Sequence, residues 1–339
     1  MNKTVYLSGI KPTGDGQIHL GNYFSVIKPI VDLLQEKENI DVYFFIADYH
    51  ALTSHINQEN LKSNITELMV SLSTIFYQNK FNDSNSLYLY RQSKIPQIFE
   101  YYWILSCFTA KGFLNRGHAY KSLVDNNLSN SKDPDKGVFA GVYNYPTLQA
   151  ADIFILNTDY VPIGKDQLQH IEIANEIGNK INYVYGTDHF KHIEDIIIES
   201  EVLPGTDGNK MSKSYDNTVN LMCENGELKK YIYKIKTNFK EEGEGKFPNE
   251  SILSTIARII GDQDWYNYYI IAMQNGKGWK ELKDILYNKL REEILDYHVL
   301  YNYYKNNINE VEVLFHENEK EVRKKTDKRL KKLKNIVGV

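Results

Sequence analysis

Three groups of residues in this chain have types and spacings suited to chemistry. Lys210-Met211-Ser212-Lys213-Ser214 sets two lysines and two serines in a loop opened by Pro204-Gly205-Thr206-Asp207-Gly208. Such a loop can fold over a triphosphate and add positive charge where negative charge builds in a transition state. The plain alternative is a basic surface loop. A given pentapeptide, however, arises by chance in roughly one in ten thousand chains of this length at average residue frequencies. The second group is Lys11-Pro12-Thr13-Gly14, followed by Gln17-Ile18-His19-Leu20-Gly21-Asn22 at a helix start. Glycine lets backbone approach a phosphate, and a helix N-terminus supplies free N–H groups and a partial positive charge. The spacing is neither GxGxxG nor GxxxxGK[ST], which excludes the dinucleotide fingerprint and the P-loop. The third lies in Tyr145–His170, YPTLQAADIFILNTDYVPIGKDQLQH, where Tyr145, Gln149 and Asp152 recur at intervals of four and three beside Ala150 and Ala151. That spacing puts all three polar groups on one face of a helix. Burying them bare costs several kcal/mol. Two readings follow: a buried structural network, or a pocket that reads one polar atom on a mostly apolar ligand.

The elements that must position these groups alternate. Thr4–Leu7 reads as a short strand running into a glycine-bearing turn over 8–16, with a helix from about Asn22. Asp41–Ala47 is a near-continuous apolar strand, as a parallel sheet covered on both faces requires. Helix Leu61–Phe76, strand Leu87–Tyr90, helix Ile95–Phe108, helix Tyr145–Leu156, strand Tyr160–Ile163 and helix Asp166–Ile177, stopped by Gly178, continue the pattern. The expected fold is a Rossmann-like, doubly wound parallel α/β sheet followed by an α-helical domain. Such sheets bind ligands beyond the carboxyl ends of their strands, where the glycine turn and Gly164 should lie. Arg116–Asn144, rich in Gly, Asn, Ser, Asp and Lys, reads as a mobile loop able to close over a ligand. After Ile198 the patterns of Cys223–Lys240, Asn249–Ile260, Asp264–Asn275 and Trp279–Phe315 are helical. The expected division is 1–197 and 198–339. Lys320–Lys334 carries nine Lys or Arg against Glu321 and Asp327; a solvated tail and an RNA-backbone contact are the two readings.

Composition narrows the class. At 339 residues, 42% hydrophobic and 25% charged, this is ordinary globular material of two domains. A net charge of −4 means that any nucleic-acid surface must be local. Cys107 and Cys223 have no CxxC partners, so neither a disulfide framework nor a zinc ribbon is expected, and a reducing cytoplasm fits. No metal site of protein ligands is expected. No apolar run is long enough to span a bilayer, and no membrane association is expected.

HLGN at 19–22 and KMSKS at 210–214, in that order on an α/β unit followed by helices, resemble the two signatures of class I aminoacyl-tRNA synthetases. More narrowly, SGIKPTG (8–14), DYHALT (48–53), YPTLQAADI (145–153), VPIGKDQLQHIE (161–172) and GKGW (276–279) are similar to bacterial tryptophanyl-tRNA synthetases. The resemblance implies ATP-dependent activation of tryptophan, transfer to tRNA(Trp), Mg²⁺ accompanying ATP, a homodimer and a helical domain whose Lys229–Lys246 and Arg258 face the anticodon. It implies that Asp152 accepts the indole N–H, that Tyr145 and Gln167 hold the α-amino group, and that Gln149, His50 and Leu7 line the tryptophan pocket. ATP contacts carried over in the same way are Lys11, Pro12, Thr13, Gly21, Asn22, Gly164, Lys165, Asp166, Val202, Lys210, Met211, Ser212, Lys213 and Ser214. The catalytic step falls to Lys210, Lys213, Lys121 and His19.

Four positions depart from the family pattern. Lys11 stands where Gln is common, Lys165 where Glu is common, Gln149 where Met is common and Leu7 where Phe is usual. Two added lysines make the nucleotide site more basic, which bears on Mg²⁺ dependence and on sensitivity to tryptophan analogues. Tyr-x-x-x-Gln-x-x-Asp is also how tyrosyl-tRNA synthetases read tyrosine, so tyrosine is the second substrate reading. A non-catalytic paralogue that binds tRNA is a third, and a generic nucleotidylyltransferase shares only the phosphate turn.

Overall fold

The computed structural model describes residues 3–54, 57–164, 168–197, 203–205, 207–209, 211, 217–294 and 297–339. Five strands form one parallel sheet: β1 (Thr4–Ile10), β2 (Ile40–Ile46), β3 (Ser86–Arg91), β4 (Tyr160–Ile163) and β5 (Glu194–Ile197), in the order β3-β2-β1-β4-β5. The order reverses between β1 and β4, and the crevice at such a switch point is where these sheets bind ligands.

Helices cover both faces. In chain order they are α1 (Leu20–Asn22), continued by a π-helical turn over Tyr23–Ile27 into α2 (Lys28–Glu36), then α3 (Asp48–Ala51), α4 (Gln58–Gln78), α5 (Gln97–Phe108), α6 (Lys111–Leu114), α7 (His118–Ser129), α8 (Ala140–Ile155) and α9 (Leu168–Tyr185). The remainder is helical: α10 (Asn225–Lys234), α11 (Ile252–Ile260), α12 (Gln263–Gln274), α13 (Trp279–Ile294), α14 (Tyr297–Asn306) and α15 (Ile308–Val337). Strand alternation sorts the apolar side chains into two cores. Val42, Phe44 and Ile46 join Leu20, Ile30, Leu68 and Leu72 on one face, and that core runs on through Met211 and Leu221 to Leu282 and Phe315. Tyr43, Phe45 and Ala47 join Leu7, Ala150, Ala151 and Ile177 on the other. Among the described residues no helix is long and apolar enough to cross a membrane.

Several expectations are corrected. Arg116–Asn144 is not a loop throughout: it contains α7 and the start of α8. Its helical period is hidden because α7 is exposed on most faces; Tyr120 nevertheless meets Tyr143 of α8 edge-on at 4.9 Å. Asn127, buried, donates to the Pro134 and Lys136 carbonyls and folds the turn that follows. Gly178 does not stop its helix, which runs on to Tyr185. A Cβ there would lie 2.8 Å from the Phe154 ring, so this glycine serves packing. Strand β5 was not expected, and the Trp279–Phe315 pattern divides among α13, α14 and α15.

The basic C-terminal run is not a free tail. Helix α15 returns to lie along β3 and α5. Arg91, at the end of β3, donates from Nε (2.7 Å) and Nη2 (3.1 Å) to the two oxygens of the buried Glu319. Lys325 reaches Asp41 (2.9 Å) and Tyr43 Oη (2.6 Å), Lys334 reaches Glu100 (2.9 Å), and Arg329 donates to the His189 carbonyl. Arg323, Lys325, Arg329 and Lys334 of the run thus bond carboxylates or carbonyls of the sheet unit.

Two predictions follow from this docking. Glu319→Ala leaves the largely buried Arg91 guanidinium with only the more exposed Glu312 (2.9 Å) beside it among the described carboxylates and should cost about 1–3 kcal/mol in urea unfolding, whereas replacing the pair with Arg91→Met and Glu319→Leu should recover most of it. A loss below about 1 kcal/mol in the single variant would show that the pair tethers nothing. His189 is buried against Tyr101 Oη (3.0 Å); burial, then Arg329 and Lys332, lower its pKa to about 4. The unfolded chain takes up this proton near pH 6.5, so its contribution to stability is whole above pH 6.5 and is lost as pH falls towards 4. His189→Gln should flatten stability over that window.

Candidate active site

The phosphate-binding candidate sits at the switch point. Strand β1 ends at Ile10, and the chain turns through Gly14 (φ 66°) and Gly16 (φ 77°), conformations that glycine adopts without strain. A Cβ on Gly16 would lie 2.6 Å from the Asn64 backbone, so α4 presses directly on the turn. Asn64, itself buried, donates from Nδ2 to the carbonyls of Pro12 (3.2 Å) and Gly14 (3.0 Å). Lys11, exposed as a residue, lies 5.7 Å over the Tyr145 ring, and the protein around its ammonium removes enough solvent to lower its pKa. His19 caps α1, its Nδ1 accepting from Asn22 N–H at 3.1 Å.

The loop bearing the basic pentapeptide is anchored on the same helix start. Gly21 N–H points at Met211 Sδ, 3.4 Å away, and Met211 is buried in the first core. On the far side of the loop, Leu20 N–H donates to Val219 O (2.9 Å) and Leu221 N–H to Ile18 O (2.8 Å). His19 pairs with Asn220 as an isolated antiparallel bridge, and Asn220 donates to Gln17 Oε1 at 2.9 Å. Met211 on one side of 212–216 and Val219–Leu221 on the other therefore both close on 17–21.

The third group assembles across the crevice. Asp152, fully buried on α8, lies 3.0 Å from His50 Nε2 on α3. Gln92, one residue beyond β3 and fully buried, donates from Nε2 to both Asp152 oxygens (3.0 and 2.9 Å). Burial raises the Asp152 pKa, while these hydrogen bonds work to keep it ionised. The neighbouring pair repeats the device: Ser93 N–H and Tyr49 N–H donate to Asp48 Oδ1 at 2.9 and 3.0 Å, and Ser93 Oγ to Oδ2. Tyr145 Oη meets His170 Nε2 of α9 at 2.9 Å.

The structure thus unites His50 with Asp152, Lys11 with Tyr145, and Met211 with Gly21. Leu7 is buried in β1 on the α8 side of the sheet. Half-buried Gln149 shares α8 with Tyr145 and Asp152, and Gly164 follows β4 at its carboxyl end. Pro12 is buried and Thr13 exposed in the turn. Lys121 is exposed on α7, with no contact to these groups among the described residues. Lys165, Asp166, Gln167, Val202, Lys210, Ser212, Lys213 and Ser214 lie outside the described residues. The reading of the sequence missed Gln92, Asn64 and His170. Gln92-Ser93 carried a signal, two polar residues directly after an apolar strand; Asn64, inside an amphipathic helix, carried none.

Comparison with known proteins places this geometry. Residues 1–334 match the family profile of tRNA synthetases class I (W and Y). The tryptophan–tRNA ligase of Pseudomonas aeruginosa is 39% identical over 299 residues, covering 86% of this chain and 64% of that one. That of Bordetella pertussis is 38% identical over 303 residues, covering 87% and 64%. The chain thus spans 64% of the length of these relatives. Among solved structures, tryptophanyl-tRNA synthetase from Campylobacter jejuni complexed with ADP and tryptophan superposes with a TM-score of 0.80 at 30% identity, covering 99% of this chain and 100% of that one. A tyrosyl-tRNA synthetase from Archaeoglobus fulgidus shares the fold at TM-score 0.64 and 16% identity, covering 89% of this chain and 91% of that one.

Asn64→Leu keeps the volume of the side chain and removes its donors. It should cost about 1–3 kcal/mol of stability and weaken nucleoside triphosphate binding several-fold by calorimetry. Unchanged nucleotide affinity would show that the turn holds its shape without the amide.

Proposed function

The chain belongs to the class I tRNA synthetases for tryptophan and tyrosine, and from that premise we propose that it is a tryptophan–tRNA ligase. It joins L-tryptophan to ATP as tryptophanyl-adenylate, releasing pyrophosphate, and then transfers the amino acid to the 3′ end of tRNA(Trp). The observation that carries the reading is Asp152. His50 and Gln92 occupy about three of the roughly four lone-pair positions of its buried carboxylate, leaving one for an indole N–H. Tyr145 and Gln167 hold the α-amino group, and Gln149, Leu7 and His50 enclose the ring.

The mechanism needs no general base, because the tryptophan carboxylate is already ionised. Catalysis consists of aligning that carboxylate with the α-phosphorus and the leaving pyrophosphate, and of neutralising charge. The turn over 11–14 with Gly21, Asn22, Gly164, Lys165, Asp166 and Val202 seats the nucleotide. Lys210 and Lys213, carried by the loop that Met211 anchors, meet the phosphates with Ser212 and Ser214; His19 and Lys121 complete the set. Among the described residues no cluster of three or more His, Cys, Asp or Glu is arranged to hold a metal. Mg²⁺ would accompany ATP and supply further positive charge to the phosphate oxygens, as suits a hard cation. Lys11 and Lys165 add charge beside it and should make the reaction less dependent on Mg²⁺.

Residues 1–197 perform activation, and 198–339 supply the lysine loop and the surface facing the anticodon. Tyr49 packs on Phe99 of α5, and Trp103, one turn on, is 68% exposed; this apolar face supports a homodimer, acting in the cytoplasm where tRNA is charged.

ATP–pyrophosphate exchange measured separately with tryptophan and tyrosine tests the reading. Tryptophan-dependent exchange is expected; exchange with tyrosine alone favours the tyrosine reading that Gln149 raises, and silence with both indicates a non-catalytic tRNA binder. Asp152→Ala should lower tryptophan activation about a hundredfold, the scale of a charged hydrogen bond lost from a buried site. ATP affinity should barely move. Equal losses of both would make the Asp152 network structural.

A further inference from the structure

The helical part presents an aromatic surface that folding does not account for. Phe239 is 103% exposed and Phe247 53%, in the segment between α10 and α11. A phenylalanine wholly in water forgoes the stabilisation of its burial. This segment is well enough held to have buried it. Lys246 is 1% exposed and donates to the Glu241 (2.9 Å) and Glu244 (3.1 Å) carbonyls. Its ammonium lies 5.3 Å over the Trp279 ring. Gly243 N–H donates to Gly276 O at 2.8 Å, and Lys246 N–H to Met273 O at 3.0 Å. Those bonds fix the segment to α12 and the turn before α13.

We infer that the exposed rings of Phe239 and Phe247, the latter paired with Lys240, form a stacking platform for an unpaired base of tRNA. Lys240 follows Phe239 in the chain, places its ammonium 4.6 Å over the Phe247 ring and donates to Gly245 O. Aromatic faces interleaved with lysines are how proteins hold single-stranded bases, and each stacked base contributes substantially to binding. Lys229, Lys230, Lys234 and Lys236 line α10 and its end, and Lys229 lies 5.7 Å from both the Tyr233 and Tyr287 rings. Glu241, Glu242 and Glu244 stand in the same segment, and Glu244 accepts from Glu241 N–H at 2.7 Å. These carboxylates repel phosphate, so the platform takes a base face, and the lysines of α10 take the backbone. The proposal rests on the tRNA-ligase reading and adds to it the side chains that meet a nucleotide.

The test uses the full chain and a tRNA(Trp) transcript, with affinity read directly by fluorescence anisotropy and activation read separately by ATP–pyrophosphate exchange. Phe239→Ala should weaken tRNA binding about tenfold and leave tryptophan-dependent exchange unchanged. Phe239→Trp should restore binding, because stacking needs an aromatic face, whereas Phe239→Leu should not. Lys236→Ala should reduce the salt dependence of binding, which Phe239→Ala leaves in place. Equal affinity in wild type and Phe239→Ala overturns the proposal. So does full rescue by leucine, or a sedimentation change without an effect on tRNA, which would assign the patch to a second copy of the chain. Silent exchange in the wild type would overturn the ligase reading alone, since the anisotropy measurement still decides the platform.

Discussion

A carboxylate taken fully out of water must be paired and hydrogen-bonded or it will not stay ionised. Asp152 imposes that constraint on the centre of this molecule. Its partners come from two other elements, His50 from α3 after β2 and Gln92 from the end of β3. Satisfying one side chain on α8 therefore fixes the carboxyl ends of two strands relative to a helix far along the chain. Ser93, next to Gln92, binds Asp48, two residues before His50, so the two segments are tied by a second carboxylate. The pocket is rigid because it is made of obligatory hydrogen bonds.

The proposed nucleotide side is built from backbone. Glycine turns, a capped helix start and the main-chain pairing of 18–20 with 219–221 set its shape with little side-chain chemistry of their own. The chain that carries Lys210 and Lys213 is anchored there at Met211 and again at 219–221. That arrangement suits a reaction whose barrier is lowered by alignment and charge neutralisation. Helix α15 then ties the helical part back to the sheet through Arg91 and Glu319. Arg91 immediately precedes Gln92, so the tether and the Asp152 pocket share one strand end.

Much of this was legible. The apolar run of β2 and the alternation of strands and helices gave the sheet and its parallel sense. The tyrosine, glutamine and aspartate spacing on α8 gave a polar face, and HLGN and KMSKS marked two segments that meet where Gly21 N–H faces Met211 Sδ. Other features left no trace. Helix α7 lacks an apolar stripe because most of it faces water. Gly178 looked like a stop, since nothing local shows that Phe154 and Phe190 converge on it. The lysines of α15 looked like a tail, since their partners Asp41 and Glu100 are more than two hundred residues away.

The sequence by itself determined what is local: the period of each element, the glycines where φ must be positive, and the residue types that chemistry requires. Tertiary structure alone decided which of the polar residues meet. Asp152 needed partners whatever its neighbours, but that they are His50 and Gln92 depends on β2, β3 and α8 ending at one edge of the sheet. Whether a lysine is solvated or paired was likewise settled by α15 folding back. Burial and pairing are properties of long-range contact, and one-dimensional spacing carries their demand without naming the group that meets it.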